Sequence, residues 1–360
     1  CESKCIYNKM KKPAVAIGYL ERFAADNAEA PAAKPAARLG IKVAVAGSGP
    51  AGLSFAGDMI KRGFDVTVFE ALHEIGGVLK YGIPEFRLPN AVVEKEIDSL
   101  RELGVEFRKD TVIGKTLSYD DLLNEGFRAI FVASGAGLPR FMGIPGENFV
   151  NVLSSNEYLT RINLMHAGTT GYATPVFKGK RVAVIGGGNT AMDSCRTARR
   201  MGAEKVMVVY RRSEQEMPAR VEEVKHAREE GVEFLTLHNP VEYLADERGH
   251  VRAMRLQRME LGEPDESGRR SPVPVEGDVR EVEVDQVIVS VGVSPNPLIP
   301  SAIPDLLTTR RGTVEVADDT LRSSIPDIWA GGDIVRGGAT VILAMGDGRR
   351  AAAAVASELS

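Results

Sequence analysis

Cysteine is scarce in this 360-residue chain, where Cys1, Cys5 and Cys195 are the whole complement. That argues against a disulfide framework and for a reducing, cytoplasmic setting. The chain has one Trp, and its five His residues (His73, His166, His226, His238 and His250) are scattered without the spacing of a metal site. No uninterrupted apolar run approaches the ~20 residues needed to cross a bilayer. The first residues, CESKCIYNKMKK, lack the pattern of a signal peptide. Neither sign of charge dominates, since 45 Lys and Arg against 49 Asp and Glu leave a net charge of -4. No nucleic-acid or membrane partner is therefore expected. The first residue is not Met, and the expectation is a processed or truncated piece.

What the chain does have is glycine at telling places. Lys42 to Glu70 reads KVAVAGSGPAGLSFAGDMIKRGFDVTVFE: an apolar strand, a glycine turn, an amphipathic helix stopped near Gly63, and a second strand, Asp65 to Phe69, ending on an acid. Gly47 permits the tight turn, Gly49 lets backbone approach a pyrophosphate, and Gly52 lets the helix lie close, with Pro50 and Ala51 opening that helix. Glu70, 23 positions after Gly47, is where a carboxylate accepts hydrogen bonds from a ribose hydroxyl pair. Strand, turn, helix, strand and acid agree on a dinucleotide site.

The pattern recurs at Arg181 to Arg212, with a strand at Val182 to Ile185, the turn Gly186, Gly188, Ala191, a helix to about Met201 and a strand at Lys205 to Tyr210. Further on, GVEFRKDTVIG and FVASG of the first half are echoed by GVEFLTLHNPV and VIVSVG of the second. Two copies of one nucleotide-binding unit are therefore expected, in an α/β fold with two Rossmann-like domains. Around them the sequence predicts an amphipathic helix Gly18 to Asn27, an Ala- and Pro-rich linker Ala28 to Ala37, and a mostly irregular HEIGGVLKYGIPEFRLP. It also predicts two alternating strands joined by the polar loop GEPDESGRRSP, and a closing strand, glycine turn and Ala-rich helix. The expected division is an arm at 1–37, one domain made of 38–150 and 293–360, and a second at 151–292.

The two copies differ at the end of their second strand. Where the first has Glu70, the second has Arg211 and Arg212, 25 and 26 residues after Gly186. A carboxylate there repels a 2′-phosphate, whereas guanidiniums grip one with charge-assisted bonds. FAD on the first turn and NADP(H) on the second follow as the expectation, an arrangement for moving a hydride.

A set of motifs carries a resemblance over essentially the whole chain: CESKC with AIGYLERFAAD, GSGPAGL, GGVLKYGIPEFRLP, SSNEYLTRINLM, VIGGGNTAMD, YRRSEQEMPARVEEV, GEPDESGRRSPVPVEG and AGGDIVRGGATVILAMGDG. It resembles the flavoprotein subunits related to the small subunit of NADPH-dependent glutamate synthase. Within these it is most similar to the branch of the large subunit of NADH-dependent ferredoxin:NADP oxidoreductase and sulfide dehydrogenase. The resemblance implies an FAD shell of the first turn with Glu70, Gly77, Leu79 and Val112, closed by Gly332, Asp333, Thr340, Val341 and Ile342. It implies NADP(H) contacts from Asn189, Thr190, Ala191, Arg211, Arg212 and Glu223. It also implies that Cys1 and Cys5 are the last ligands of a [4Fe-4S] cluster whose other ligands lie outside this chain. Cys195, without a nearby partner, reads as a packed thiol.

The expectation is thus an NADP(H)-dependent flavoprotein with no catalytic side chain, passing electrons to iron-sulfur centres in a partner subunit or to ferredoxin. Two other readings stand beside it. One is the electron-input subunit of glutamate synthase, and the other is a non-catalytic assembly subunit that keeps the nucleotide folds as scaffold.

Overall fold

The computed structural model describes residues 2–28 and 36–360; Cys1 and residues 29–35 of the linker stretch lie outside them. The chain separates into two units, Cys1–Pro35 and Ala36–Ser360. In the first, a short turn Glu2–Lys4 precedes helices Ile6–Lys9 and Ile17–Asn27. The Gly18 amide donates to the Glu2 carboxylate at 3.3 Å, and Arg22 pairs with Asp26 one turn on at 2.6 Å.

The second unit is built on two five-stranded parallel sheets. The first runs, edge to edge, Ile328–Ala330, Phe127–Val132, Lys42–Ala46, Asp65–Phe69, Glu106–Arg108. Its central strands are mostly apolar because both faces are covered. On one side Val43, Val45 and Phe131 meet Phe55 and Met59 of helix Pro50–Lys61, with the Phe55 and Phe131 rings stacked at 4.4 Å. On the other side Ala44, Ile130 and Ile328 pack against Ile299, Leu306 and Val314. Helix Val341–Leu359 lies directly on helix Pro50–Lys61. Gly348 makes this approach possible, since a Cβ there would sit 2.3 Å from the Ala51 carbonyl oxygen.

The second sheet runs Val152–Ser154, Gln286–Val289, Arg181–Ile185, Lys205–Tyr210, Glu233–Thr236. Four of its strands follow the plan of the first sheet. The edge strand differs in origin: Ile328–Ala330 returns from far along the chain, while Val152–Ser154 precedes its sheet. In the crossover before Gln286–Val289 lies an antiparallel sheet of His238–Ala245, Val251–Pro264 and Arg270–Glu283. Its Tyr243, Met254 and Leu256 bury against Ala183, Ile185 and Met207. The two chain crossings between the parallel sheets, Leu138–Pro139 and Val293–Ser294, pair as a short antiparallel ribbon, extended by the Arg140 amide donating to Gly292 O at 3.0 Å.

The segment read as mostly irregular contains a short helix, Val78–Tyr81, that begins at Gly77. Its four residues are too few to show periodicity, which is why the sequence hides it.

Candidate functional site

At the first turn, three glycines each answer a different steric demand. Gly47 has φ +111°, and a Cβ there would lie 2.5 Å from Ala133 O. A Cβ at Gly52 would lie 2.0 Å from Gly47 O, so helix and turn touch. Gly49 faces open space, with nothing within 4 Å of where its Cβ would be, at the N-terminus of the helix opened by Pro50 and Ala51. That is a cradle with room for an anionic group against free amides.

Glu70 is only 6% exposed and wires this cradle together. One of its carboxylate oxygens accepts from the Ser48 amide at 3.0 Å and from the Ser48 hydroxyl, and the other accepts from the Leu72 amide at 2.9 Å. Ser48 Oγ in turn accepts from the Gly76 amide at 2.9 Å, which draws in the second glycine pair. Gly77, at φ +53°, would place a Cβ 2.9 Å from Gly49 Cα and so walls the turn. Ser134, beside Gly47, holds a buried hydroxyl oxygen with no hydrogen-bond partner among the described residues.

From far along the chain, Gly332 closes on the same helix; a Cβ there would meet that of Ala51 at 2.9 Å. Its amide donates to the buried Asp347 at 3.0 Å, and Arg336 and Arg350 both pair with that carboxylate. Asp333 accepts from the Ala339 amide at 2.9 Å, and burial pushes its carboxyl above the ordinary range. Tyr81 feels the same surroundings: burial, then the charges of Asp333 and Glu70, push its phenol up to about 12. Thr340 caps helix Val341–Leu359, Val341 is half-buried, and Ile342 stands 71% exposed. Leu79 packs half-buried near Ile75 and Val93, and the Val112 amide donates to Thr116 Oγ1 at 3.1 Å.

The second turn repeats the first with two changes. Gly186, φ +134°, meets Ser290 O as Gly47 meets Ala133 O, and Gly188 faces open space as Gly49 does. Fully buried Ala191 replaces Gly52. Asn189 accepts from the Arg220 amide at 3.0 Å, and Thr190 is exposed. The other change concerns register. Gly47 donates to Phe69 O and Gly186 donates to Val209 O, so the residue opposite the turn is Glu70 in one case and Tyr210 in the other. Gly187 takes the place of Ser48, and the Tyr210 ring covers it, 2.8 Å from where a Cβ would be. Sequence reading missed this role for Tyr210, whose signal is only that it ends the strand.

Arg211 and Arg212 part company. Arg211 is exposed and has no ion-pair partner among the described residues. Arg212 is 5% exposed and ion-paired with Asp265 in the turn of the long hairpin, while its Nε is buried without a partner among the described residues. Asp265 is itself gripped by the Ser267 hydroxyl and amide and by Arg269, which hold its carboxyl down at about 2.

Glu223 sits in the joint between the two halves, 3.2 Å from Arg87 and 3.0 Å from Arg196. Asp193 on helix Asn189–Arg200 shares Arg87, both carboxylate oxygens lying at 2.7 Å. Burial pushes the Asp193 carboxyl up to about 6 from its ordinary 3.8, against Arg87 and Arg196 and helped by Glu223. The folded chain therefore holds this proton more tightly than the unfolded chain. The stability it contributes is full below 3.8 and is lost as pH rises through about 6. Relative to an Asp193→Asn variant, the native chain should lose about 2 kcal/mol of stability between pH ~4.5 and ~7.5. Urea melts of both proteins at the two pH values check this, and a gap independent of pH would contradict it.

Cys5 and Cys195 are free. Burial pushes the Cys195 thiol up to about 12 and makes it a poor nucleophile. Among the described residues no group of three or more His, Cys, Asp or Glu is placed to hold a metal ion. No helix among them is long and apolar enough to cross a membrane.

Comparison with known proteins gives a consistent picture. The family model described as pyridine nucleotide-disulphide oxidoreductase matches residues 41–354. The β subunit of NADP(+)-dependent formate dehydrogenase from Moorella thermoacetica is 38% identical over 99% of this chain and 52% of its own length. The small chain of NADPH glutamate synthase from Azospirillum brasilense is 37% identical over 98% and 74%. The chain thus spans about half the length of the first of these relatives. Among solved structures, FprA of Mycobacterium tuberculosis in complex with NADPH superposes with a TM-score of 0.74 at 19% identity, over 89% of this chain and 84% of that one.

Proposed function

This chain belongs to the pyridine nucleotide-disulphide oxidoreductase family, and from that premise we propose that its first turn holds FAD, its second NADP(H), and that a hydride passes between them. The observation that carries the reading is one glycine turn built twice, with a buried carboxylate beside the first and an exposed guanidinium beyond the second. The residues fit both groups. Open space at Gly49, the Ser134 hydroxyl with no partner among the described residues and the glycine walls suit a flavin dinucleotide, while open space at Gly188 with Arg211 exposed beyond it suits one bearing a 2′-phosphate.

When bound, FAD accepts the two electrons of a hydride and releases them one at a time. The chain's own part is to hold and orient. The helix N-terminus at Gly49 would face the pyrophosphate, and Glu70 would take ribose hydroxyls with the lone pairs that Ser48 and Leu72 leave free. Gly77, Leu79 and Val112 wall the site, and Asp333, with Thr340, Val341 and Ile342, bounds the ring end. On the second turn Asn189 and Thr190 would meet the pyrophosphate, with Ala191 packed beneath them, and Arg211 would meet the 2′-phosphate. No side chain is asked to be a nucleophile, consistent with the inert Cys195.

The onward acceptor is assigned to a partner, an iron-sulfur or flavoprotein subunit or ferredoxin, because both relatives above carry the names of subunits or chains of larger enzymes. A [4Fe-4S] cluster needs four ligands, and the described residues offer only Cys5 outside the core. They do not make up a complete cluster. Cys5, with Cys1, is proposed as a partial ligand set completed from elsewhere. The domain limits 38–150 with 293–360, and 151–292, are proposed as the two functional halves.

Purified protein should be yellow, and the flavin's visible band should bleach on anaerobic addition of NADPH. A colourless preparation that takes up no added FAD and leaves NADPH unoxidised would overturn the reading in favour of a non-catalytic scaffold.

A further inference from the structure

The segment GIPEFRLP, residues 82–89, leaves the helix Val78–Tyr81 beside the first turn and reaches across to the second half of the molecule. There the Phe86 ring lies against two guanidiniums of one helix, Arg196 at 4.5 Å and Arg200 at 4.1 Å. Arg87 pairs with Asp193 on that helix and with Glu223 on helix Val221–Glu229. Arg196 pairs with Glu223 and with Glu230, at 3.0 and 2.9 Å, and Arg200 pairs with Glu230 at 2.8 Å. Three guanidiniums thus meet three carboxylates, with the ring beneath two of them. Asp193 and Arg196 are almost wholly buried, at 4% and 7% exposed.

Burial gives this joint its selectivity. A buried carboxylate that loses its partner is costly, whereas the same pair contributes little to stability on a surface. Asp193 is 4% exposed and receives hydrogen bonds from Arg87. Other orientations of the two halves would leave it short of that partner, and a bidentate guanidinium is strict about angle as well as distance. The chain connections themselves are permissive, since they form a ribbon of two residues on each side, Leu138–Pro139 with Val293–Ser294. A neighbouring contact backs the joint: Asn156 and Asn163 of helix Ser155–Asn163 donate to Gly137 O at 3.0 Å and Tyr81 O at 3.3 Å.

We propose that Phe86 and Arg87 are positioning residues: a strap anchored beside the flavin-binding turn that sets the orientation of the NADP(H)-binding half and thereby the distance a hydride would travel. The proposal rests on the assignment of FAD and NADP(H) to the two turns. Phe86 and Arg87 thereby gain a role that no glycine or phosphate argument assigns to them.

The test compares native protein with Arg87→Ala, Arg87→Lys and Phe86→Ala by two readouts. The first needs no cofactor chemistry. Nitroxides at Lys61→Cys and Glu204→Cys, in a background with Cys1 and Cys5 replaced by Ser, report the distance between the halves by pulsed electron resonance. The native chain should give one narrow distribution. Arg87→Ala and Phe86→Ala should broaden it about twofold or more, with Arg87→Lys between. The second readout is the rate of flavin bleaching at saturating NADPH. It should fall about 10- to 100-fold in Arg87→Ala, while the Kd for NADPH shifts less than about threefold. Equal distributions in all variants, or a loss confined to Kd, would overturn the strap. If the native chain itself is not bleached by NADPH, the cofactor assignment fails, and the distance readout still decides whether Arg87 sets the orientation.

Discussion

Replacing Arg211 by Glu is expected to raise the Kd for NADPH about 100-fold, equivalent to ~2.7 kcal/mol, while the Kd for NADH moves less than about threefold. The reason lies in how the two arginines after Tyr210 are disposed. Arg212 is buried and spends its guanidinium on Asp265, whose own carboxylate is locked by Ser267 and Arg269. Arg211 is exposed, with no ion-pair partner among the described residues. A dianionic 2′-phosphate meeting a free guanidinium gains charge-assisted hydrogen bonds, and meeting a carboxylate it is repelled, so reversal acts twice. NADH has no such phosphate and should notice little.

Arg212→Ala should behave differently. It deletes a buried guanidinium that ties the strand end to Asp265 of the hairpin turn, so its main signature should be a lower urea midpoint, with a smaller effect on nucleotide selectivity. Titrating NADPH and NADH against each variant by calorimetry separates the cases. Equal losses of both nucleotides in Arg211→Glu would remove the 2′-phosphate assignment.

Gly52→Ala should strip the protein of its flavin and cost at least about 3 kcal/mol of stability, the upper part of the range for overpacking a rigid site. Its Cβ would fall 2.0 Å from the Gly47 carbonyl oxygen and 3.1 Å from Val45 Cγ1, inside a strand and turn that cannot yield separately. Helix Pro50–Lys61 would have to lift, and helix Val341–Leu359, seated on it through Gly348, would lift with it. The second turn carries Ala natively at the matching place, Ala191, so its helix already stands where a methyl fits. Ala191→Gly should cost only about 1 kcal/mol, the helix-propensity difference. Flavin content per chain and urea midpoints measure both. Full flavin content in Gly52→Ala with an unshifted midpoint would contradict the close-packing argument.

The sequence was informative wherever structure is local. Both strand–turn–helix–strand units, the α/β class and the division into two Rossmann-like sheets could be read from apolar runs and glycine spacing. Each depends on residues within about 30 positions of one another, where side-chain period and backbone sterics act directly. The charge contrast between Glu70 and Arg211 was legible for the same reason.

Tertiary structure alone decided the rest. That Tyr210 lies opposite the second turn follows from strand register, which no spacing count reveals. That Arg212 is taken by Asp265 depends on a hairpin folding back across 53 residues. That Glu223 lies beside Arg87, and Phe86 beneath Arg196 and Arg200, depends on how the helices around the two parallel sheets meet in space. Arg87 and Asp193 are 106 residues apart, and neither neighbourhood carries a pattern that names the other. Backbone preferences act over a few residues, whereas a docked interface selects partners by shape and charge in space. The sequence by itself therefore specified two glycine turns followed by residues of opposite charge, and only the folded chain decided which arginine pairs with Asp265 and which residues join the two halves.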